Sequence, residues 1–333
     1  MYHKNRQLRL GIIGCGAVVK LIYLPALKDI SLFRLVMLVD KDESVVKNLC
    51  QQYKIPKYST DFRDCFGNID VAVVALPHYL HADISIELLQ HSIHVLCEKP
   101  MAMSHLQALK MLKTATQNTS ILSVSFVRRF YWSSRRVKEI IQHGELGRLL
   151  SISCEEGKPY EWPTVSGFFF DPKYAGGGVT IDTGAHLFDT LLWWLWEYPN
   201  KIDYKDDNYG GVEAESQTKL IFPSHVEARI RMSRLVPLKN SYELIFEKGS
   251  IIYFPWDFNK IIISKNNIST PVYSPEKKSG IFYFHMMLED FYLSIIKNRQ
   301  PYITAEEAVQ STRLIEQCYA TRKEMVKPWL KTS

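Results

Sequence analysis

The sequence predicts an α/β chain: a doubly wound parallel sheet in the N-terminal part, then an α+β domain with a large, open, mostly antiparallel sheet. Three observations carry this. Up to about residue 126, short β-branched runs alternate with helical periods, the grammar of parallel strands covered on both faces. The first run ends in Gly14-Cys15-Gly16 and leads straight into a helical pattern. From residue 212 to about 264, period-two strands follow one another without intervening helices, which calls for antiparallel pairing. A length of 333 residues suits two domains, read as 1–126 and 127–333.

Leu8, Leu10, Ile12 and Ile13 read as a buried strand. Gly14 permits a tight turn and Gly16 lets backbone approach a phosphate. The open N–H groups and positive dipole end of the next helix then suit a pyrophosphate. This is a Rossmann dinucleotide fingerprint in the form GxGxxV, with Val19 where Gly or Ala is usual. Gly14, Gly16, Ala17 and Val18 would form the cradle. The helix spans residues 17–30, with a break or early end expected at Pro25, which lacks a backbone donor. A second strand, 34–39, ends in Asp40, which follows Gly16 by 24 residues. A carboxylate there can hydrogen-bond a ribose and repel a 2′-phosphate, favouring NAD over NADP; Lys41 beside it softens that preference.

The pattern continues with a helix at 43–53, a strand at 55–58 and a short helix at 61–67. A buried strand at 69–76 is stopped by Pro77, and a helix at 81–91 precedes a strand at 93–97. A helix at 104–117 and a strand at 121–125 complete the first domain. Ligands of such sheets lie beyond the carboxyl ends of the strands. Those ends are Gly14–Gly16, Asp40, Pro77 with its followers, and Glu98-Lys99-Pro100.

The second half opens with a helix at 137–143 ended by Gly144, a strand at 148–156, and a loop at 158–174 rich in aromatics and proline. Gly176–Gly178 precede a helix at 180–196. Strands follow at 216–222, 225–233, 241–246, 250–254 and 260–264, with a hairpin turn at Glu247-Lys248-Gly249. A helix at 282–296 comes next, and Thr304-Ala305-Glu306-Glu307 is a capping box for a last helix at about 304–322, placed against the first domain.

With 46% apolar and 23% charged residues, the composition is that of a globular protein. The net charge of +6 is scattered, which describes a solvated surface and not a nucleic-acid groove. Six cysteines without a CxxC fit free thiols in a reducing cytoplasm. Residues 1–7 lack the apolar core of a signal peptide, and the apolar run at 191–196 is too short to span a membrane. The pairs His78/His81 and His91/His94 have no third ligand at sensible spacing, so no metal is expected.

Two constellations carry chemistry. Lys99, at a strand end in the cofactor crevice, can polarise a carbonyl or stabilise an alkoxide; the alternative is a surface lysine before a turn proline. In the segment from Gly176 to His186, three glycines allow close backbone approach to a ligand. Asp182 and His186, four apart, share a helix face, and Asp189 extends the line. Histidine is the natural proton acceptor for alcohol oxidation near neutral pH. The alternative is a capping aspartate and a core histidine. Tyr160, Trp162, Phe168–Phe170 and Tyr174 offer aromatic faces to a sugar, or staple a loop. Arg128, Arg129 and Lys158 could meet a phosphate, or lie on the surface.

The glycine turn, Asp40, Glu98-Lys99-Pro100 and GGGxxxDxGxH, in this order over nearly the whole chain, resemble the glucose–fructose oxidoreductase/inositol dehydrogenase (Gfo/Idh/MocA) family. The resemblance implies hydride transfer between a nicotinamide and a carbon of a sugar, a sugar derivative or a cyclitol. It implies that Lys99 assists at the reacting oxygen, Asp182 orients, and His186 is the general acid/base. It further implies a cis Lys99-Pro100 bond, Pro77 and His81 near the nicotinamide ribose, and Glu98 in the cofactor site. Arg129 would lead into the substrate domain, and the C-terminal sheet would make a homodimer or homotetramer. The same fold also hosts NAD-dependent glycosidases and non-catalytic dinucleotide sensors; an intact Lys99/Asp182/His186 set argues against a sensor.

Overall fold

The computed structural model describes residues 7–163 and 167–326. The polar N-terminal residues 1–6 and residues 164–166 of the aromatic loop lie outside the described residues. The chain forms two compact units. The first consists mainly of the chain up to Val127 together with Ser279–Thr312.

The first unit is organised by six strands: β1 (Leu8–Ile13), β2 (Phe33–Val39), β3 (Lys57–Ser59), β4 (Val71–Val74), β5 (His94–Cys97) and β6 (Leu122–Val124). They pair in the order β3-β2-β1-β4-β5-β6, all parallel. Every residue of β4 is buried, as its unbroken VAVV run requires. Strand order reverses between β1 and β4, so the ends of these two strands flank the switch point. Gly14, at φ +95°, passes so close to the end of β4 that a Cβ there would overlap the Ala75 carbonyl.

The helices of this unit are α1 (Leu24–Lys28), α2 (Glu43–Tyr53), α3 (His78–Gln90) and α4 (His105–Gln117). The break expected at Pro25 takes the form of a π turn over Val19–Tyr23, in which the Leu24 amide bonds the Val19 carbonyl. Pro25 then sits in the first turn of α1, where no donor is needed. The helix expected from residue 81 starts at His78, with Pro77 as its N-cap. The returning segment carries α8 (Gly280–Ile296), whose Phe284 and Tyr292 meet Tyr23 and Phe33 edge to face at 5.8 and 5.7 Å. The Ser123 hydroxyl donates to the Ile303 carbonyl at 2.8 Å, just before α9 (Ala305–Ala320).

The second unit holds α5 (Trp132–His143), β7 (Leu149–Gly157), α6 (Pro172–Ala175) and α7 (Val179–Leu195). The strands β8 (Lys201–Asp206), β9 (Glu215–Ile221), β10 (Glu227–Ser233), β11 (Ser241–Phe246), β12 (Gly249–Tyr253), β13 (Lys260–Lys265), β14 (Ile268–Tyr273) and β15 (Arg322–Glu324) complete it. They form one nine-stranded sheet, β14-β13-β12-β11-β7-β10-β9-β8-β15. Only β7/β10 and β8/β15 pair parallel. Ala228, Ile230 and Met232 are buried on one face, where α7 packs; Gln217, Lys219, Arg229 and Arg231 are exposed on the other.

The core of this unit is aromatic and ionic. Trp194 meets Tyr242 and Tyr253 at 6.2 and 5.0 Å. Arg128 forks onto Glu156 at 2.6 and 2.9 Å, and Arg129 onto Asp189 at 2.6 and 2.9 Å; all four side chains are buried.

Candidate functional site

In the first unit, the glycine turn fits an anion. Around Gly16 no atom lies within 4 Å of where a Cβ would stand, so the face over the turn is open. Gly16, Ala17 and Val18 open the helical segment, whose first amides have no partner within a helix. A dinucleotide's pyrophosphate suits this geometry. The Asp40 carboxylate lies beside it: one oxygen accepts the Cys15 amide at 2.7 Å, the other the Asp42 amide at 3.0 Å. Asp40 therefore braces the turn, and each oxygen keeps a lone pair for a ribose hydroxyl. Lys41 is exposed.

Lys99 follows β5, half-buried, and its bond to Pro100 is cis. Glu98 anchors it from beneath. One carboxylate oxygen accepts the Tyr23 hydroxyl at 2.7 Å and the other the Lys99 amide at 3.2 Å. Glu98 is 9% exposed with both oxygens engaged, and it supports the lysine segment. His81 corrects an expectation more sharply. It has no exposed surface, and its ring nitrogens lie 2.7 Å from the Pro100 carbonyl and 2.8 Å from the Leu76 carbonyl. It bridges the segment after β5 and the segment after β4; burial holds its pKa below the usual value. Pro77 remains at the switch point, half-exposed at the start of α3.

In the second unit the site is built on α7. This helix is buried along most of its length, yet Asp182, Thr183 and His186 in its first two turns remain half-open. Its start is fixed by Glu213, a fully buried carboxylate that accepts the Gly178 amide at 2.7 Å, the Thr180 amide at 2.9 Å and the Tyr319 hydroxyl at 2.8 Å. Desolvation raises its pKa. Two of the three glycines serve this packing: a Cβ on Gly177 would overlap the Tyr319 hydroxyl, and one on Gly178 the Glu213 carbonyl.

Asp182 accepts a hydrogen bond from Arg234 at 2.8 Å. Arg234 follows β10, and its guanidinium lies 4.8 Å from the centre of the Tyr160 ring. Tyr160 is placed there because β7 and β10 keep pairing beyond their ends, the Tyr160 amide donating to the Arg234 carbonyl at 3.0 Å. Trp162 is 41% exposed, and Tyr174 sits half-exposed in α6 with the Lys173 ammonium 5.5 Å from its ring centre. Arg129 is not a substrate group: its bidentate pair with buried Asp189 closes it off, and Asp189 is thereby removed from the catalytic line. Arg128 is likewise consumed by Glu156. Arg234 and Glu213 had no motif to announce them; each stands alone beside a strand, and only strand register reveals its partner.

Among the described residues no three His, Cys, Asp or Glu side chains cluster as metal ligands, and no helix is long and apolar enough to cross a membrane.

Two family models match the chain. Residues 8–126 match the oxidoreductase family with an NAD-binding Rossmann fold, and residues 134–252 the GFO/IDH/MocA C-terminal domain. The rhizopine catabolism protein MocA of Rhizobium meliloti is 27% identical over 201 residues, covering 59% of this chain and 60% of that protein. The D-glucoside 3-dehydrogenase of Escherichia coli K12 is 28% identical over 193 residues, covering 57% and 55%. The chain thus spans little more than half the length of these curated relatives. The fold of an aldose–aldose oxidoreductase from Caulobacter crescentus superposes with a TM-score of 0.86 over 95% of this chain and 97% of that one, at 22% identity.

Proposed function

This chain belongs to the Gfo/Idh/MocA oxidoreductase family, and on that premise we propose that it transfers a hydride between a nicotinamide dinucleotide and a hydroxyl-bearing or keto carbon of a sugar, sugar derivative or cyclitol. The observation that carries this reading is the half-open pair Asp182 and His186 on a mostly buried helix. Polar side chains left accessible on a mostly buried helix escape the desolvation cost of burial and stay available to a ligand. The names of the glucoside dehydrogenase and the aldose oxidoreductase support a sugar as substrate.

Gly14, Gly16, Ala17 and Val18 would hold the pyrophosphate and Asp40 the ribose; the Asp40 charge favours NAD over NADP. When bound, the nicotinamide accepts or supplies the hydride. Lys99 donates a hydrogen bond to the reacting oxygen and stabilises the charge that gathers there. In the oxidation direction, His186 takes the hydroxyl proton as the carbon–oxygen double bond forms, and in reduction it returns it. Asp182, held by Arg234, orients the imidazole. The proposal extends to a homodimer or homotetramer through the nine-stranded sheet, which light scattering distinguishes from a monomer, and to the cytoplasm. Six buried free thiols support a reducing compartment.

The test is reduction of NAD or oxidation of NADH across a panel of sugars, cyclitols and their keto forms. Lys99→Ala and His186→Ala are expected to lose about 10²–10⁴ in kcat with dinucleotide affinity retained. Full activity in both variants ends the assignment of roles. Cleavage of aryl glycosides without net change in nicotinamide absorbance makes the chain a glycosidase instead.

A further inference from the structure

We propose that Arg234 and Tyr160 form a subsite beside Asp182 that recognises neutral sugar hydroxyls. The proposal deepens the reading above and rests on its placement of Asp182 in the substrate site. The Arg234 side chain is only 7% exposed. One nitrogen, Nη2, bonds Asp182, whereas Nε and Nη1 are buried with no hydrogen-bond partner among the described residues. The Tyr160 hydroxyl, on the ring beneath that guanidinium, is also buried without a partner. Leaving such groups unpaired is costly, more so where a charge is involved, so three in one place are a standing preference for a ligand that supplies oxygens.

The chemistry of that ligand follows from charge and shape. Asp182 already neutralises the guanidinium, so a second carboxylate or a phosphate would bring like charge beside a carboxylate only 16% exposed. Hydroxyls answer the open donors without that penalty, and the Tyr160 hydroxyl can both give and accept. Phe169 and Phe170 stand 6.0 and 5.4 Å from the Tyr160 ring, with Phe170 55% exposed. Aromatic faces beside polar donors suit the C–H face of a pyranose or a cyclitol.

The test is calorimetric titration of the full chain, with NADH present, using D-glucose, D-galactose and myo-inositol against D-glucuronate and D-galacturonate. At least one neutral ligand should bind tenfold or more tightly than the uronates. Tyr160→Phe and Arg234→Met should each weaken that ligand about tenfold, with NADH affinity unchanged. Tighter binding of the uronates, binding of none of the neutral ligands, or unchanged affinity in Tyr160→Phe overturns the proposal. If Arg234→Met does not fold, Tyr160→Phe decides alone. Binding that obeys these expectations without any hydride transfer defeats the oxidoreductase reading and leaves the subsite standing. Hydride transfer with affinities indifferent to both substitutions does the reverse.

Discussion

The carboxylate of Asp40 shapes the glycine turn from the side on which a ribose is expected, because it accepts the amides of both Cys15 and Asp42. A 2′-phosphate brought to about 4 Å of it meets a repulsion between roughly 1 and 4 kcal/mol, depending on exposure. NAD is therefore expected to bind at least tenfold more tightly than NADP. Asp40→Ala should close most of that gap while weakening NAD as well, since the Cys15 amide loses its acceptor; titration of both dinucleotides checks this. Equal affinities in the unmodified chain contradict it. Asp40, Lys99, Asp182 and His186 can be named as candidates from sequence because a motif sets each at a fixed distance from a strand end or helix start. Arg129 and His81 were misread because a lone charged or titratable residue does not announce its partner. Asp189 lies 60 residues from Arg129, and the two carbonyls that hold His81 come from different strand ends.

His94 shows how one side chain ties two elements. It opens β5, and its Nδ1 accepts the amide of Ile121 at 2.9 Å, just before β6. That bond requires an unprotonated nitrogen. Burial lowers the His94 pKa below the ordinary value of 6.5, with Asp70 opposing. The unfolded chain therefore takes up this proton first: the stabilisation is complete above about pH 6.5 and is lost as pH falls through that value towards the folded pKa. A melting series from about pH 8 to pH 5 should show the decline, and His94→Gln, which cannot titrate, should show a shallower one. Identical slopes rule this account out. The elements that escaped sequence reading have comparable causes. α5 begins five residues before the expected start because Ser133, Ser134 and Lys138 fill its buried positions and mask the apolar period. Ser134 bonds the Tyr253 hydroxyl at 3.0 Å, and Lys138 the Trp193 carbonyl at 2.9 Å. β14 is an exposed edge containing Pro271, paired through an Asn266-Asn267 turn with φ of 52° and 61°. The crowding at Gly177 and Gly178 comes from Tyr319 and Glu213 within the same unit, partners that no local motif announces.

Taken as a whole chain, two sheets of different grammar were legible from one change in periodicity: parallel strands need covering helices, and successive strands without helices do not. The preference for a particular sugar was not legible. On the proposal above it turns on which polar atoms the register of β7 and β10 leaves unpaired, as with Arg234 and Tyr160, and register is not written in any local motif. Whatever the sugar, the proposed chemistry turns on the movement of a hydride. The most direct measurement is mass spectrometry of the nicotinamide after incubation of NAD and this chain with a sugar deuterated at every carbon. Deuterium carried from carbon to the nicotinamide ring, and its absence with His186→Ala, is the predicted result. A sugar consumed while the nicotinamide stays unlabelled would contradict it.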